Sequence, residues 1–510
     1  MKKIYLLILL LSLLTPIFSQ EMGKPLMRVY SIDEYNWHPQ NWAAIQDNRG
    51  VMYFANGLGV LEFDGIEWRK IIVPNTTIIR SFAKDTCGRI YVGGAGEFGY
   101  LAPDELGDMK YFSLSNELDT AYQYFNDIWF TIYSPDGIYF CSRKYLFRYN
   151  YHNAKKKDQQ YQKNSFTVWE AGIEFLDAYL VNNTIYVNDS KYGLKYLEND
   201  SLILVSNGEV FKDNICRSIY SYAKNKLLAI FPLYGIQLFN SKNNISSDSI
   251  LVEYKIGINS FLKEKSMYKI TKLPNGNFVF ATEKGGVLIT TEKFEPIQLI
   301  DKNAGLTSNA CRYSYYSDGI LWLVMDDAIV SVELDSPFKI WDENLGVNTS
   351  VSNLVRFNKK IYISTVDGVY YLDTTKFINA FSQNSFVKIP GLDELCWCFS
   401  VVETEENNKR GKSLFVGTIS GVYEIKNGKI GNKISDEYTL TLLNSKISPN
   451  ILFIGYLGGF SYMYKNKKNN KWEKNENFID IETNNIRTIC EDNDSNIWFS
   501  DYKYIYKALV

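Results

Sequence analysis

Residues 90–101 read IYVGGAGEFGYL, and Gly94, Gly96 and Gly99 fall at the spacing G-x-G-x-x-G. Between a strand and a helix, such glycines cradle the diphosphate of a dinucleotide at the helix N-terminus. Here Gly99 is followed by YLAPDELGDMKYFSL. Tyr100 and Leu101 continue as a strand, and Pro103 cuts the segment off. With no helix to receive a diphosphate, the glycines mark a hairpin between two strands, widened by an insertion. No cofactor is expected.

The other reactive groups are sparse. His38 and His152 are the chain's two histidines, so a hydrolytic triad or a histidine zinc site has little to draw on. The run 492–496, DNDSN, opens like a calcium loop, but its sixth and twelfth positions are Ile497 and Lys503 instead of Gly and Glu. The matching places elsewhere read DNRG, DTCG, PDG and PNGN, which are hairpin turns. No catalytic residue and no metal site are expected. The basic runs 153–163 and 465–475 read as solvated loops, and a net charge of −2 gives no reason to expect a nucleic-acid partner.

What must position any site is a repeated strand unit. The chain has 510 residues, enough for two or more domains, and 15 % aromatics, with 38 Tyr and 30 Phe, which favours strands. The unit is a short apolar strand ending in a polar turn, an aromatic second strand, a tight turn usually with Gly, and a third strand. The first copies are WAAIQDNRGVMYFANGLGVLEFDG (42–65) and RSFAKDTCGRIYVGGAGEFGYL (80–101). About eleven copies follow one another at roughly 38 to 53 residues, the spacing of four-stranded propeller blades. Stacking blades around an axis buries both faces of each and leaves short edges.

The reading is an all-β array of about eleven blades: a seven-bladed ring over 21–340 and an incomplete second propeller over 341–510, with the boundary inside LDSPFKIWDENLG (334–346). Residues 1–20 read as a signal peptide cleaved near Ser19 or Gln20, an uncleaved anchor being the alternative. No later run approaches the roughly 18 apolar residues of a membrane span. The seven dispersed cysteines read as buried strand residues. The chain ends at YIYKALV, after the third strand of the last copy, which reads as a shortened reading frame.

The repeat resembles that of the two-component regulator propeller family. EDNDSNIWFSD (491–501), LFVGTISGVYEI (414–425), IYISTVDGVYYL (361–372) and GLTSNACRYSYYSDGILWLV (305–324) carry the likeness, and the two opening blades look like those of its Bacteroidetes-type members. The resemblance implies a sensory propeller outside the inner membrane, hence the periplasm. In such members two rings precede a triple-tyrosine domain, a membrane helix and an output module, which this sequence does not contain.

Binding is expected at a propeller mouth, where turns from every blade converge. The candidates are Asn41 and Trp42, before the first blade's inner strand; Arg80, inside the second; Glu97, in a second-to-third-strand turn; and Asn309. Exposed aromatics there would stack on sugar faces. The expected partner is a small molecule or oligosaccharide, with a homodimer as a further expectation. A propeller glycoside hydrolase or lyase, and an adhesive interaction protein, are the competing classes.

Overall fold

The computed structural model describes residues 21–150, 166–206, 208–212, 214–223, 226–240, 252–253, 257–374, 384–406, 409–466, 469, 471–475 and 484–509. The signal segment, His152, the run 153–163 and part of 465–475 lie outside them. The chain divides into two compact units, Lys24–Lys339 and Ile340–Val510, the latter together with the described residues of Met1–Gly23.

Lys24–Lys339 holds seven antiparallel sheets among the described residues, the first six laid out in chain order from an inner to an outer strand. The first runs Asn41–Gln46, Met52–Asn56, Gly59–Phe63 and Trp68–Ile72. Second strands are buried along all or all but the first of their residues, fully so in Met52–Asn56, Gly137–Cys141 and Phe278–Thr282. That is the signature of a sheet covered on both faces. The outer strand Trp68–Ile72 is mostly open to solvent.

Apolar clusters fill the spaces between neighbouring sheets. One joins the first and second sheets through Tyr53, Val60, Ile79 and Val92. Another joins the seventh to the first through Trp322, Val324, Phe54 and Leu61, so the ring closes. The seventh sheet takes its fourth strand from the N-terminal end. Lys24–Ser31 pairs antiparallel with Ala328–Glu333, in the register Leu26↔Glu333 to Ser31↔Ala328. Tyr30 then stacks on Trp322 at 5.8 Å and meets Phe63 edge-on at 5.1 Å. The sequence reading began the first blade at Trp42 and assigned no role to this strand.

The glycine-rich stretch forms a hairpin, as expected, but a tight one. Ile90–Gly94 pairs with Glu97–Pro103 through Gly94↔Glu97, so the turn is Ala95-Gly96 alone, with Gly96 at φ +67°. The expected insertion is absent. Gly93 and Gly99 lie within the strands because side chains do not fit there. A Cβ on Gly93 would come within 2.7 Å of Ile128, Thr131 and Ser81, and one on Gly99 would run into the Phe112 carbonyl.

Ile340–Val510 repeats the pattern in four sheets among the described residues, the last of which has three strands, Thr488–Glu491, Asn496–Ser500 and Ile505–Leu509. The cysteine expectation needs correction. Five are buried, but Cys87 and Cys490 sit at exposed positions, and all seven are free thiols.

Candidate ligand-binding cavity on the axis of the first unit

The inner strands share one irregularity. In the first sheet Asn41 faces Asn56 and Ala43 faces Ala55, so Trp42 is an extra residue without a partner. The same shift skips Arg80 in the second sheet, Leu176 in the fourth, Tyr268 in the sixth and Arg312 in the seventh. Trp129 and Arg217 take the equivalent place in the third and fifth, each donating its backbone N–H just ahead of the paired strand. A bulge breaks strict alternation and re-aims one side chain. Here it brings one residue per sheet to the axis end.

All of these except Leu176, beside which Asp177 takes the place, line a cavity of about 660 Å³ built from all seven inner strands. Around it, cations and rings alternate. The Arg217 guanidinium lies 4.7 Å from the Tyr268 ring centroid, and Arg312 lies 5.8 Å from Tyr268 and 4.7 Å from Trp42. Arg80 lies 4.0 Å from Trp42 and 4.7 Å from Trp129, with Arg143 5.3 Å from Trp129 on the other side. The arc spans six consecutive sheets. Each contact is worth on the order of 1 kcal/mol and holds a guanidinium flat against a ring.

Carboxylates fix two of the arginines. Asp127 accepts from Arg80 Nε at 3.0 Å and pairs with its Nη2 at 2.9 Å. Asp326 accepts from Arg312 Nε. The fourth sheet closes the arc with Asp177, a buried carboxyl in the cavity wall. Burial pushes its pKa up to about 7, against the pull of Arg217, Arg143, a Cys216 backbone group and Lys269. Lys269 is in turn depressed, first by its own burial and also by Arg217, while Asp177 opposes the shift. Arg80 Nη1, Arg217 Nε, Trp42 Nε1 and Asp177 Oδ2 are buried and have no hydrogen-bond partner among the described residues.

Two of the five expected site residues, Trp42 and Arg80, come together here. The other three do different work. The Asn41 side chain is fully buried, accepts from Asn56 Nδ2 at 2.8 Å and donates to the Pro39 carbonyl at 3.2 Å. Glu97 turns toward its own outer strand, where Oε1 accepts from Tyr111 at 3.0 Å, Ser113 at 2.8 Å and Ser115. Asn309 Oδ1 accepts from the Lys302 backbone at 2.9 Å. Trp129, Asp177, Arg217, Tyr268 and Arg312 escaped the sequence reading. Aligning the inner strands one residue past their start would have brought Arg312, in the repeat GLTSNACRYSYYSDGILWLV, into line with Trp42 and Arg80.

His38 and the Asp492 turn have structural roles. His38 Nδ1 accepts from the Gln40 N–H at 3.2 Å within a turn. Asp492 accepts from the backbones of Asp494 and Asn496, from the Asn496 side chain and from Trp498 Nε1. Those bonds hold its pKa down at about 2, which is the chemistry of a hairpin turn.

A family model, Two component regulator propeller, matches residues 480–503. The chain carries a two-component regulator propeller repeat. The match takes in the Asp492 turn and the strand Asn496–Ser500, and covers 491–501, one of the four segments that carry the likeness. Among solved structures, the extracellular domain assigned to the hybrid two component system BT3049 from B. thetaiotaomicron shares this propeller fold. It gives a TM-score of 0.66 at 16 % identity, over 95 % of this chain and 65 % of that one. The extracellular domain of BT4673 from the same organism gives 0.46 at 14 %, over 95 % and 66 %. Virginiamycin B lyase from Staphylococcus aureus gives 0.43 at 11 %, over 61 % and 100 %. The propeller chain thus spans less than two thirds of the length of the regulator domains it matches. A search of curated protein sequences finds no match. Among the described residues no helix is long and apolar enough to cross a membrane.

Proposed function

We propose that this chain is the ligand-sensing propeller region of an exported two-component regulator, placed in the periplasm by its N-terminal signal segment. The first ring, 21–340, is the binding ring, and 341–510 belongs to a second propeller. The observation that carries this reading is the axial cavity, in which seven inner strands each deliver a residue to one volume and leave buried polar atoms unpartnered. Unpaired buried donors are costly, so a site that keeps them is built to receive acceptors.

The site is a binding site rather than a catalytic one. Among the described residues His38 does not line the cavity and Asp177 is the one carboxylate that does, where glycoside hydrolysis by the common routes needs two. Tyr179 is no base: burial, with Asp177 nearby, raises its pKa well above the ordinary value, and its hydroxyl donates to the Cys216 carbonyl. The test is thermal unfolding of the purified chain against a panel of oligosaccharides and peptides, with chromatography of the mixtures. Saturable stabilisation without product formation is expected. Turnover of any panel member would move the protein to the enzymes, and partner capture without small-ligand stabilisation would move it to the adhesive proteins.

A further inference from the structure

We propose that the axial cavity binds an oligosaccharide bearing oxyanion groups, carboxylate or sulfate; this rests on the ligand-binding reading above and names its ligand class.

Charge is the first argument. The chain carries −2 overall, yet Arg80, Lys84, Arg217, Lys269, Lys272 and Arg312 line the cavity against Asp177 as its one acid. Asp127 and Asp326 balance Arg80 and Arg312, which leaves Lys84, Arg217, Lys269 and Lys272 as a cationic surplus over Asp177 in a concave wall, where a surplus of one sign attracts anions.

Geometry is the second. Guanidinium groups lie over Trp42, Trp129 and Tyr268, so these three rings are engaged by cations and not held open for sugar stacking on those faces. The aromatics act as props. A guanidinium over a ring can still present N–H groups in its own plane to a carboxylate or sulfate; Asp127 and Asp326 take part of that edge on Arg80 and Arg312, whereas Arg217 Nε is unpartnered.

The third argument is the set of unpaired donors. Arg80 is tethered by Asp127 through Nε and Nη2, which leaves Nη1 buried and unpartnered. Arg217 Nε and Trp42 Nε1 are in the same condition. Arg80 and Arg217 stand on the second and fifth of seven sheets, so a ligand that engages both has to span the cavity. A volume of about 660 Å³ admits a small oligosaccharide. The unpartnered Asp177 Oδ2 would accept a sugar hydroxyl.

The experiment is isothermal titration of the full chain with four probes: a tetragalacturonate, a sulfated chondroitin tetrasaccharide, neutral cellotetraose and inorganic sulfate. At least one anionic tetrasaccharide is expected to bind saturably and at least tenfold more tightly than cellotetraose. Which one binds separates carboxylate from sulfate recognition. Arg217→Gln should weaken that binding at least tenfold, and Arg217→Lys, which keeps the charge and loses the fork, should fall between. Circular dichroism melts of both variants establish that they fold, and Arg312→Lys serves if Arg217→Gln does not. Equal binding of cellotetraose, indifference to the arginine variants, or inorganic sulfate binding as tightly as the sugars would each overturn the proposal. Cellotetraose binding that Trp42→Ala abolishes would overturn only the anionic ligand class, whereas no binding by any probe, joined to no stabilisation across the wider panel, would sink the sensor reading too.

Discussion

The guanidinium of Arg80 lies 4.0 Å from the centroid of the Trp42 ring. The two residues occupy the same bulge position on adjacent inner strands, and Asp127 grips the guanidinium from the next sheet. Arg80 is mostly buried, and that carboxylate compensates its charge. Asp127→Asn is expected to cost about 2 kcal/mol by leaving a buried cation under-compensated. Urea unfolding measures it; an unchanged midpoint would show that the ring stacking suffices.

Asp177 gives the protein a pH signature. Its pKa in the fold is about 7, against an ordinary value of 3.8, and burial is the main cause. Between these values the folded chain holds a proton that the unfolded chain has released. The stabilising contribution is therefore complete below the lower value and lost as pH rises through the higher. Asp177→Asn should remove this decline, the two stability profiles diverging in slope by up to about 1.4 kcal/mol per pH unit. Denaturant unfolding at pH 5 and pH 8 tests this, and parallel profiles would contradict it.

Closure of the first ring depends on the N-terminal strand. Tyr30 is buried between Trp322 of the last sheet and Phe63 of the first. Tyr30→Ala should cost about 3 kcal/mol, in the range of other large aromatic truncations. Ile66→Ala, at a side chain 88 % exposed, should stay within about 0.5 kcal/mol. A calorimetric scan of both variants decides it, and equal small effects would mean the strand is dispensable.

Thiol labelling separates the cysteines. Burial pushes Cys216, Cys311, Cys396 and Cys398 up to about 12 and raises Cys141 as well, so none presents a thiolate near neutral pH. Cys87 and Cys490 are exposed. A thiol reagent should modify these two in the native protein and all seven after denaturation, with mass spectrometry naming the sites. Rapid native labelling of Cys216 or Cys311 would mean that the inner strands open.

Much of the fold was legible because a propeller repeats one short unit. The aromatic second strands and the Gly turns, as in Met52–Phe63 and Lys360–Asp373, follow from local alternation and hairpin chemistry. Hairpin chemistry also explains why GGAGEFG is a strand crossing and not a cofactor loop: Gly93 and Gly99 are glycines because neighbours leave no room for a Cβ. The site was half legible. Trp42 and Arg80 sit near inner-strand starts where a mouth residue is expected, whereas Glu97, in a turn, faces its own outer strand and Asn309 accepts from the Lys302 backbone in the link between the sixth and seventh sheets.

The sequence by itself determined the all-β class, the blade period and the absence of a dinucleotide loop, because each rests on residues a few positions apart. Only the tertiary structure decided two things. One is that Lys24–Ser31 completes a sheet whose other strands lie some 300 residues away. The other is that Arg217, Tyr268, Arg312, Trp42, Arg80 and Trp129 form one alternating arc. Both depend on ring closure, which brings distant segments together by burying apolar faces between sheets, and neither leaves a local pattern to read.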